Sequence, residues 1–457
     1  MKVKEIARTA NVAWSPATMQ DVHIACGTVA QQLDATFSTS ARLEVFSLDL
    51  ASSGLAVPLA GTVDSPLRFH KLAWSAHGQE GVNACGVIAG GSDNGTITLW
   101  AADKIIGDTE GAQLKQMIHH TGPVRTIDFN PFQPNLLASG GNDSEIFIWD
   151  LNNPDSPMSP GNKLHPLEDI SGVAWNRQVQ HIIASTSPSG KSVLWDLRKN
   201  EPIIQVADPN ARVHCNAISW HPDVATQMVT ASGDDRSPVV QLWDLRFATS
   251  PMRTLERHKK GILSLAWCPQ DSDLLLTAAK DNLVLCWNPN SDIPGGEVVY
   301  ELPATSQWIF EVHWCPRNPS MISTASFDGH VTMYSLLGGG VSAHEEPAEQ
   351  PLQQSDDPFA NLAPKPRQQP VETTPLKKPP KWFRRPCGAR FSFGGKLVSF
   401  RHDNSRSVRV SQVVTEEALL ERSSSLKRPS LNKISQTFVP RKPLVQPILR
   451  NRTSGTF

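Results

Sequence analysis

Long apolar runs are what this chain of 457 residues most plainly lacks. No stretch reaches the roughly 18 to 20 apolar residues that cross a bilayer as a helix. The segment Met1 to Trp14 carries charges and no apolar run of signal-peptide length. The expected compartment is therefore the cytosol, with membranes touched only indirectly. Asn451-Arg452-Thr453 matches a glycosylation acceptor, which without a secretory signal reads as chance. Cysteine is scarce: seven residues, at 26, 85, 215, 268, 286, 315 and 387, with no metal-ligand spacing. Several sit in or beside apolar strand patterns, so small buried thiols in a reducing compartment are expected. No metal cluster, phosphate-binding Gly loop after a strand, or nucleophile elbow is visible, which predicts no enzyme and no cofactor. A motif that reads nucleic acid is missing as well. Net charge is nearly absent too, at −1, but this conceals a division. Residues 1–360 hold 23 Lys and Arg against 39 Asp and Glu, whereas residues 361–457 hold 20 against 5. An acidic body is followed by a basic tail that could meet an acidic partner, RNA or anionic lipid.

What the chain has in abundance is repetition. Seven times an aromatic-marked segment is followed by a small-residue segment and a second aromatic marker. The first markers are Trp14, Trp74, Phe129, Trp175, Trp220, Trp267 and Trp314; the second are Phe46, Trp100, Trp149, Trp195, Trp243, Trp287 and Tyr334. Successive first markers lie 60, 55, 46, 45, 47 and 47 residues apart. A period near 45 with units ending in Trp-Asp marks the blades of a β-propeller. The predicted fold class is all-β: a seven-bladed WD-repeat β-propeller over residues 1–337. Insertions at about 29–40 and 77–84, mostly small and polar, lengthen the first two repeats as surface loops.

The sixth repeat shows its strands most clearly. Gly261 to Trp267 alternates toward the core, Leu274 to Thr277 makes a second strand, and Leu283 to Trp287 a third. Between them, Lys280-Asp281-Asn282 reads as the turn. His258, Thr277, Asp281 and Trp287 could form one buried hydrogen-bonded set that pins strands and turn. A His, a hydroxyl and an Asp also spell a triad, but none stands on a nucleophile elbow, so the expected role is structural. Asp143, Asp235 and Asp328 are expected to hold comparable turns.

The seventh repeat ends at Tyr334 with no apolar strand after it, and Gly338-Gly339-Gly340 follows. At the other end, Val3-Lys4-Glu5-Ile6 alternates without a blade of its own. Residues 2–8 are thus predicted to supply the last blade's outer strand and close the ring.

From Gly338 to Pro380 apolar content collapses into Pro, Gln, Ser and acid, the composition of a disordered linker. Order should return at 381–415. Ala389 to Phe393, a Gly394-Gly395 turn, Lys396 to Phe400, and Ser407 to Val414 make three strands, about one blade of sheet. Phe391 and Phe393 share one face; Val398 and Phe400 lie on the other face from Leu397 and Ser399. Some 30 residues cannot bury enough surface to be secure alone. Strand addition to another protein's incomplete β-structure would satisfy both the aromatic faces and the open edges. Docking on this chain's own propeller, or disorder, are the alternatives. Beyond them, Glu416 to Leu426 could begin a short helix, and the rest of 416–457 reads as a basic disordered tail.

Several irregular, polar segments resemble the amino-terminal part of the large outer-cage subunit of the COPII vesicle coat. They are Gly27 to Thr39, Trp175 to His181, Trp195 to Pro202, Trp220 to Met228 and Trp314 to Pro319. The resemblance covers roughly residues 1–425, and its wording looks closer to the second, less abundant mammalian paralogue. It implies a noncatalytic scaffold in ER-to-Golgi transport, peripheral on the ER membrane, its exit sites and COPII vesicles. In this family the propeller helps form the cage vertex, and the later blade completes the open six-bladed propeller of the coat's small outer subunit. Here that blade-insertion segment would place Trp382, Phe391, Phe393, Val398, Phe400, Val408 and Val410 against the partner. The resemblance further implies contacts with other coat vertices and membrane association through the inner coat. A helical solenoid and a Pro-rich region follow in the family; the chain ends at Phe457 without them, which reads as a short isoform or truncated product. Family-type dimerisation through the solenoid is then not expected to carry over.

Two other readings remain. Trp195-Asp196-Leu197-Arg198 and Trp243-Asp244-Leu245-Arg246 fit the Trp-Asp-x-Arg pattern of substrate receptors for cullin-based ubiquitin ligases. Arg384, Arg385, Arg390, Arg401, Arg406 and Arg409 interleave with aromatic and β-branched residues, which would give salt-sensitive, sequence-blind nucleic-acid association.

Overall fold

The computed structural model describes residues 2–30, 41–52, 54–163, 165–208 and 214–336, and beyond these 376, 379–382, 388–392, 395–400, 407–413, 418, 421–422 and 449–450. The linker expected at 338–380 and the tail lie almost wholly outside the described residues. Of the expected short helix, Ala418, Glu421 and Arg422 are described, and they are helical. Contacts divide the chain into two compact units, Met1–Pro379 and Pro380–Phe457.

The first unit holds seven antiparallel sheets among its described residues. Their innermost strands are Ala10–Trp14, Phe69–Ser75, Thr126–Phe129, Gly172–Trp175, Cys215–Trp220, Ile262–Trp267 and Ile309–Trp314. Each touches the next in sequence, and Ile309–Trp314 touches Ala10–Trp14, so the sheets form a closed ring of seven blades. Small residues let neighbouring blades meet. A Cβ on Gly27, for example, would stand 2.5 Å from the Phe69 ring of the next blade.

Six of the seven blades have four strands among the described residues, and the last of these draws its outer strand from the start of the chain. Lys2–Ile6 pairs antiparallel with His330–Ser335, with Ile6 opposite Val331 and Lys2 opposite Tyr334. The buried Lys4 ammonium is satisfied in the first blade, donating to the Ser52 hydroxyl at 2.8 Å and to the Gly54 carbonyl at 3.0 Å. The third blade differs: among the described residues its sheet has three strands, ending with Ile146–Asp150. The second blade carries one short helix, Ala102–Ile106, that the sequence pattern does not show.

The aromatic markers do two different jobs. Second markers fasten their own blade: Trp149 donates to Ser139, Trp195 to Ser185, Trp243 to Thr230 and Trp287 to Thr277, at 2.8 to 3.1 Å. First markers mostly reach backward. Trp175, Trp220 and Trp314 donate to carbonyls of Asp128, Ala174 and Ala266 on the preceding blade, and Trp14 donates to Ser323 across the seam. Each of these indoles thus combines a large apolar area with one satisfied donor.

The second unit contains a four-stranded sheet in the order Gly388–Ser392, Lys396–Phe400, Ser407–Gln412, Leu449–Arg450. Three strands follow the sequence expectation, and Gly395 adopts φ of 65° in the first turn. The fourth is a difference. Leu449 and Arg450, from the stretch read as an aperiodic tail, pair with Val408 and Ser407.

Candidate interaction sites

Apolar side chains lie on both faces of the second unit's sheet. The register sets Arg390 opposite Val398, Val398 opposite Val410, and Phe400 opposite Val408. Alternation then places Val398, Val408 and Val410 on one face, and Phe391, beside Leu397, on the other. Phe391 is 74% exposed, and Val408 and Val410 are each 40% exposed. Trp382 and Val398 are half-buried, while Phe393 and the side chain of Phe400 lie outside the described residues. A solvent-facing sheet normally keeps one polar face. A propeller blade needs two apolar faces, because it is packed between neighbours.

The four-residue set in the sixth blade comes together around one hydroxyl. Thr277 Oγ1 lies 2.7 Å from His258 Nε2 and accepts the Trp287 indole N–H at 2.8 Å. His258 Nδ1 meets the Asp281 carboxylate at 3.0 Å, and that carboxylate also accepts the backbone N–H of Lys259 at 3.0 Å and of Leu283 at 3.2 Å. The carboxylate only accepts, so His258 Nδ1 carries a proton in this arrangement. Burial would raise the Asp281 pKa, but the hydrogen bond and charge of His258 and the two N–H groups hold it below its ordinary value. Thr277 is 0% exposed and its hydroxyl is already engaged by two partners, so the arrangement pins strands and offers no nucleophile.

The third blade repeats this device with a different acid. His120 Nε2 meets Ser139 at 2.7 Å, while its Nδ1 faces Glu145 at 3.4 Å. Burial lowers the His120 pKa to about 4 against the pull of Glu145. Asp143 lies within this turn, as expected, with left-handed backbone at φ of 52°. Glu145, two residues on, accepts the Thr121 N–H at 3.0 Å and was not singled out, because turn position alone points to Asp143. Asp328 does hold its own turn through the His330 N–H at 3.1 Å. Asp235 serves the next blade, accepting from Gly261 N–H at 2.9 Å and Lys280 Nζ at 3.1 Å.

Ring closure depends on Glu311, which sequence reading missed. Its carboxylate accepts the Val12 N–H at 2.7 Å, pairs with Lys71 and lies 3.0 Å from His313 Nε2. One buried acid thereby joins the seventh, first and second blades. Burial alone would raise its pKa, but the charges of Lys71 and His313 hold it down at about 2.

Both Trp-Asp-x-Arg arginines fork onto their own blade's carboxylate. Arg198 Nη2 lies 2.9 Å and Arg246 Nη2 2.6 Å from Asp196 and Asp244, whose pKa values these hydrogen bonds hold at about 2. That geometry gives each guanidinium a local, structural partner. Cys26, Cys215, Cys268, Cys286 and Cys315 are buried, and burial raises their thiol pKa values, to about 11 at Cys215 and about 12 at Cys268. Among the described residues no group of His, Cys, Asp and Glu is placed to hold a metal ion, and no helix is long and apolar enough to cross a membrane.

These features define a WD-repeat β-propeller protein with an additional four-stranded sheet. The WD domain, G-beta repeat model matches residues 111–150 and 249–288. Most of the chain is similar to the Sec31 protein transport proteins. It is 52% identical to Sec31A of Danio rerio over 450 residues, covering 93% of this chain and 35% of the relative. Mouse Sec31A is 52% identical over 448 residues and mouse Sec31B 49% over 434, so identity does not favour the second paralogue. The chain spans about a third of the length of these curated relatives. Its fold matches a solved structure titled "COPII on membranes, outer coat vertex", with a TM-score of 0.69 and 32% identity over 90% of this chain and 100% of that one. A second, "The structure of the COPII coat assembled on membranes", matches with a TM-score of 0.69 and 30% identity over 95% of this chain and 60% of that one.

Proposed function

We propose that this chain is a noncatalytic scaffold of the COPII outer coat in ER-to-Golgi transport, and that its second unit completes the coat's small outer propeller. The observation that carries the reading is the sheet with apolar residues on both faces, Phe391 on one and Val398, Val408 and Val410 on the other. The chain's own ring is already closed by Lys2–Ile6, so it has no vacancy for a further blade. Inserted between two blades of a partner, both faces become buried at once. Trp382, Phe393 and Phe400 belong to the same proposed contact. The first unit then serves coat vertices, and membrane association runs through the rest of the coat, with the protein cytoplasmic and peripheral on the ER, its exit sites and coated vesicles.

The test is the mass of the assembly that the full chain forms with the small outer propeller subunit, by light scattering after size exclusion. A stoichiometric complex is expected for the native chain. Changing Phe391, Val408 and Val410 together to Asp should abolish it, since truncating one buried aromatic alone costs on the order of 3–5 kcal/mol. A complex that survives the triple change would refute blade donation. The same measurement reports whether this chain self-associates without its partner.

A further inference from the structure

Most cations of the ring are paired within it: Arg198 and Arg246 fork onto Asp196 and Asp244, and Arg177 reaches Asp128. Among the described residues of the first unit, the Lys and Arg side chains with no hydrogen bond or ion pair are Arg236, Arg257, Lys259 and Lys260, and all are exposed. The turns that carry them are fastened together. Asp235 Oδ1 accepts the Gly261 N–H at 2.9 Å and Lys280 Nζ at 3.1 Å, while Asp281 accepts the Lys259 N–H at 3.0 Å. The Lys280 N–H in turn donates to the Gly261 carbonyl at 2.9 Å. One patch therefore gathers the turns of the fifth and sixth blades.

An aromatic side chain of the seventh blade joins this patch. The Thr305 N–H donates to the Asn282 carbonyl at 3.2 Å, which sets the segment before Ile309–Trp314 beside the sixth-blade turn. Trp308 is 43% exposed, and its ring centroid lies 5.9 Å from Lys280 Nζ. That cation–aromatic contact holds the indole at the surface. Residues 1–360 carry 39 Asp and Glu against 23 Lys and Arg, so unpaired positive charge gathered here runs against the sign of the body. Cations beside an exposed indole offer an anionic ligand both charge and an apolar foothold. Asp235 and Glu256, both exposed, adjoin Arg236 and Arg257 in the chain. A flat anionic membrane would meet these carboxylates as well, whereas an extended peptide can follow the cations past them.

We propose that this patch binds an acidic segment of a partner protein, with Asp or Glu side chains on Arg257, Lys259 and Lys260 and one apolar side chain against Trp308. The cations steer and select the segment, and the indole gives it a fixed register. The patch is distinct from blade donation by the second unit and does not depend on it.

Random peptides displayed on phage and selected against the full chain test this directly. Enriched peptides should be rich in Asp and Glu, share one apolar residue and bind more weakly as salt rises. A synthetic winner should bind the chain carrying Arg257→Gln, Lys259→Gln and Lys260→Gln roughly tenfold more weakly or worse, and Trp308→Ala with a similar loss. The Gln changes fall on exposed side chains without partners, so that variant should melt as the native chain does; if Trp308→Ala does not fold, Trp308→Leu replaces it, with a smaller loss expected. Failure to enrich acidic peptides, or winners that bind the native chain and either folded variant alike, would overturn the proposal. So would binding to vesicles of equal parts phosphatidylserine and phosphatidylcholine that the three Gln changes abolish while no peptide is enriched, since the patch would then serve a membrane. Winners that align with the acidic stretch from Glu345 to Asp357 would assign the patch to this chain's own segment and overturn a separate partner.

Discussion

Thr277 holds two neighbours with one hydroxyl, accepting from Trp287 and meeting His258, inside a fully buried site. Thr277→Val keeps the shape and removes the polar atom, leaving an indole N–H and an imidazole nitrogen without partners. A loss of about 1–3 kcal/mol for each stranded group is expected, read as a lower midpoint in chemical unfolding. Glu311 gives a pH dependence. Its folded pKa of about 2 lies below the ordinary 4.5, so its stabilisation is complete above about pH 4.5 and is lost as pH falls toward 2. The difference corresponds to roughly 3 kcal/mol. Glu311→Gln should lower stability at pH 7 and flatten the acid limb of the melting profile between pH 4.5 and 2. An unchanged acid limb would remove Glu311 from the closure. The sixth-blade set was legible because His, Thr, Asp and Trp recur at fixed offsets within one repeat. Glu311 was not, because its partners Val12 and Lys71 lie hundreds of residues away in sequence.

Among the elements, the first strand carries the most consequence for its length. Lys2–Ile6 covers the edge of His330–Ser335, and Lys4 ties it to the first blade. Deleting residues 1–8 should expose that edge, lower the melting temperature by more than roughly 5 °C and promote concentration-dependent association. Calorimetry with light scattering checks both. This strand was readable, since a short alternating segment without a blade answers a seventh repeat without an outer strand. The three strands at 388–412 were readable from alternation and the Gly394-Gly395 turn. Leu449–Arg450 was not, for two residues show no period. Nor was it apparent that the third blade has three strands among the described residues, because the repeat keeps its spacing of 46 residues.

For the whole molecule, the division into two compact units lets the ring's stability and the proposed partner binding be tested separately. A chain ending after Leu336 retains the ring and both of its closing interactions. It should melt within a few degrees of the full chain yet capture none of the small outer propeller subunit. Loss of folding on this truncation would show that the second unit supports the first, and retained capture would place the binding site on the ring. The charge division makes a further distinction. Nucleic-acid association through the basic tail would weaken steeply between 50 and 200 mM salt, whereas binding through two buried apolar faces should change little. Titrating the subunit complex over that range separates the two.

The sequence by itself determined the number of blades, the strand that closes the ring and the surplus of sheet beyond it, because each follows from periodicity within about 45 residues or from a count of strands. Tertiary structure alone decided which indoles reach back to the preceding blade and that Glu311 joins three blades. Those outcomes depend on which backbone groups remain to be satisfied once the ring has closed, and closure brings together residues whose order in the chain gives no sign that they will meet.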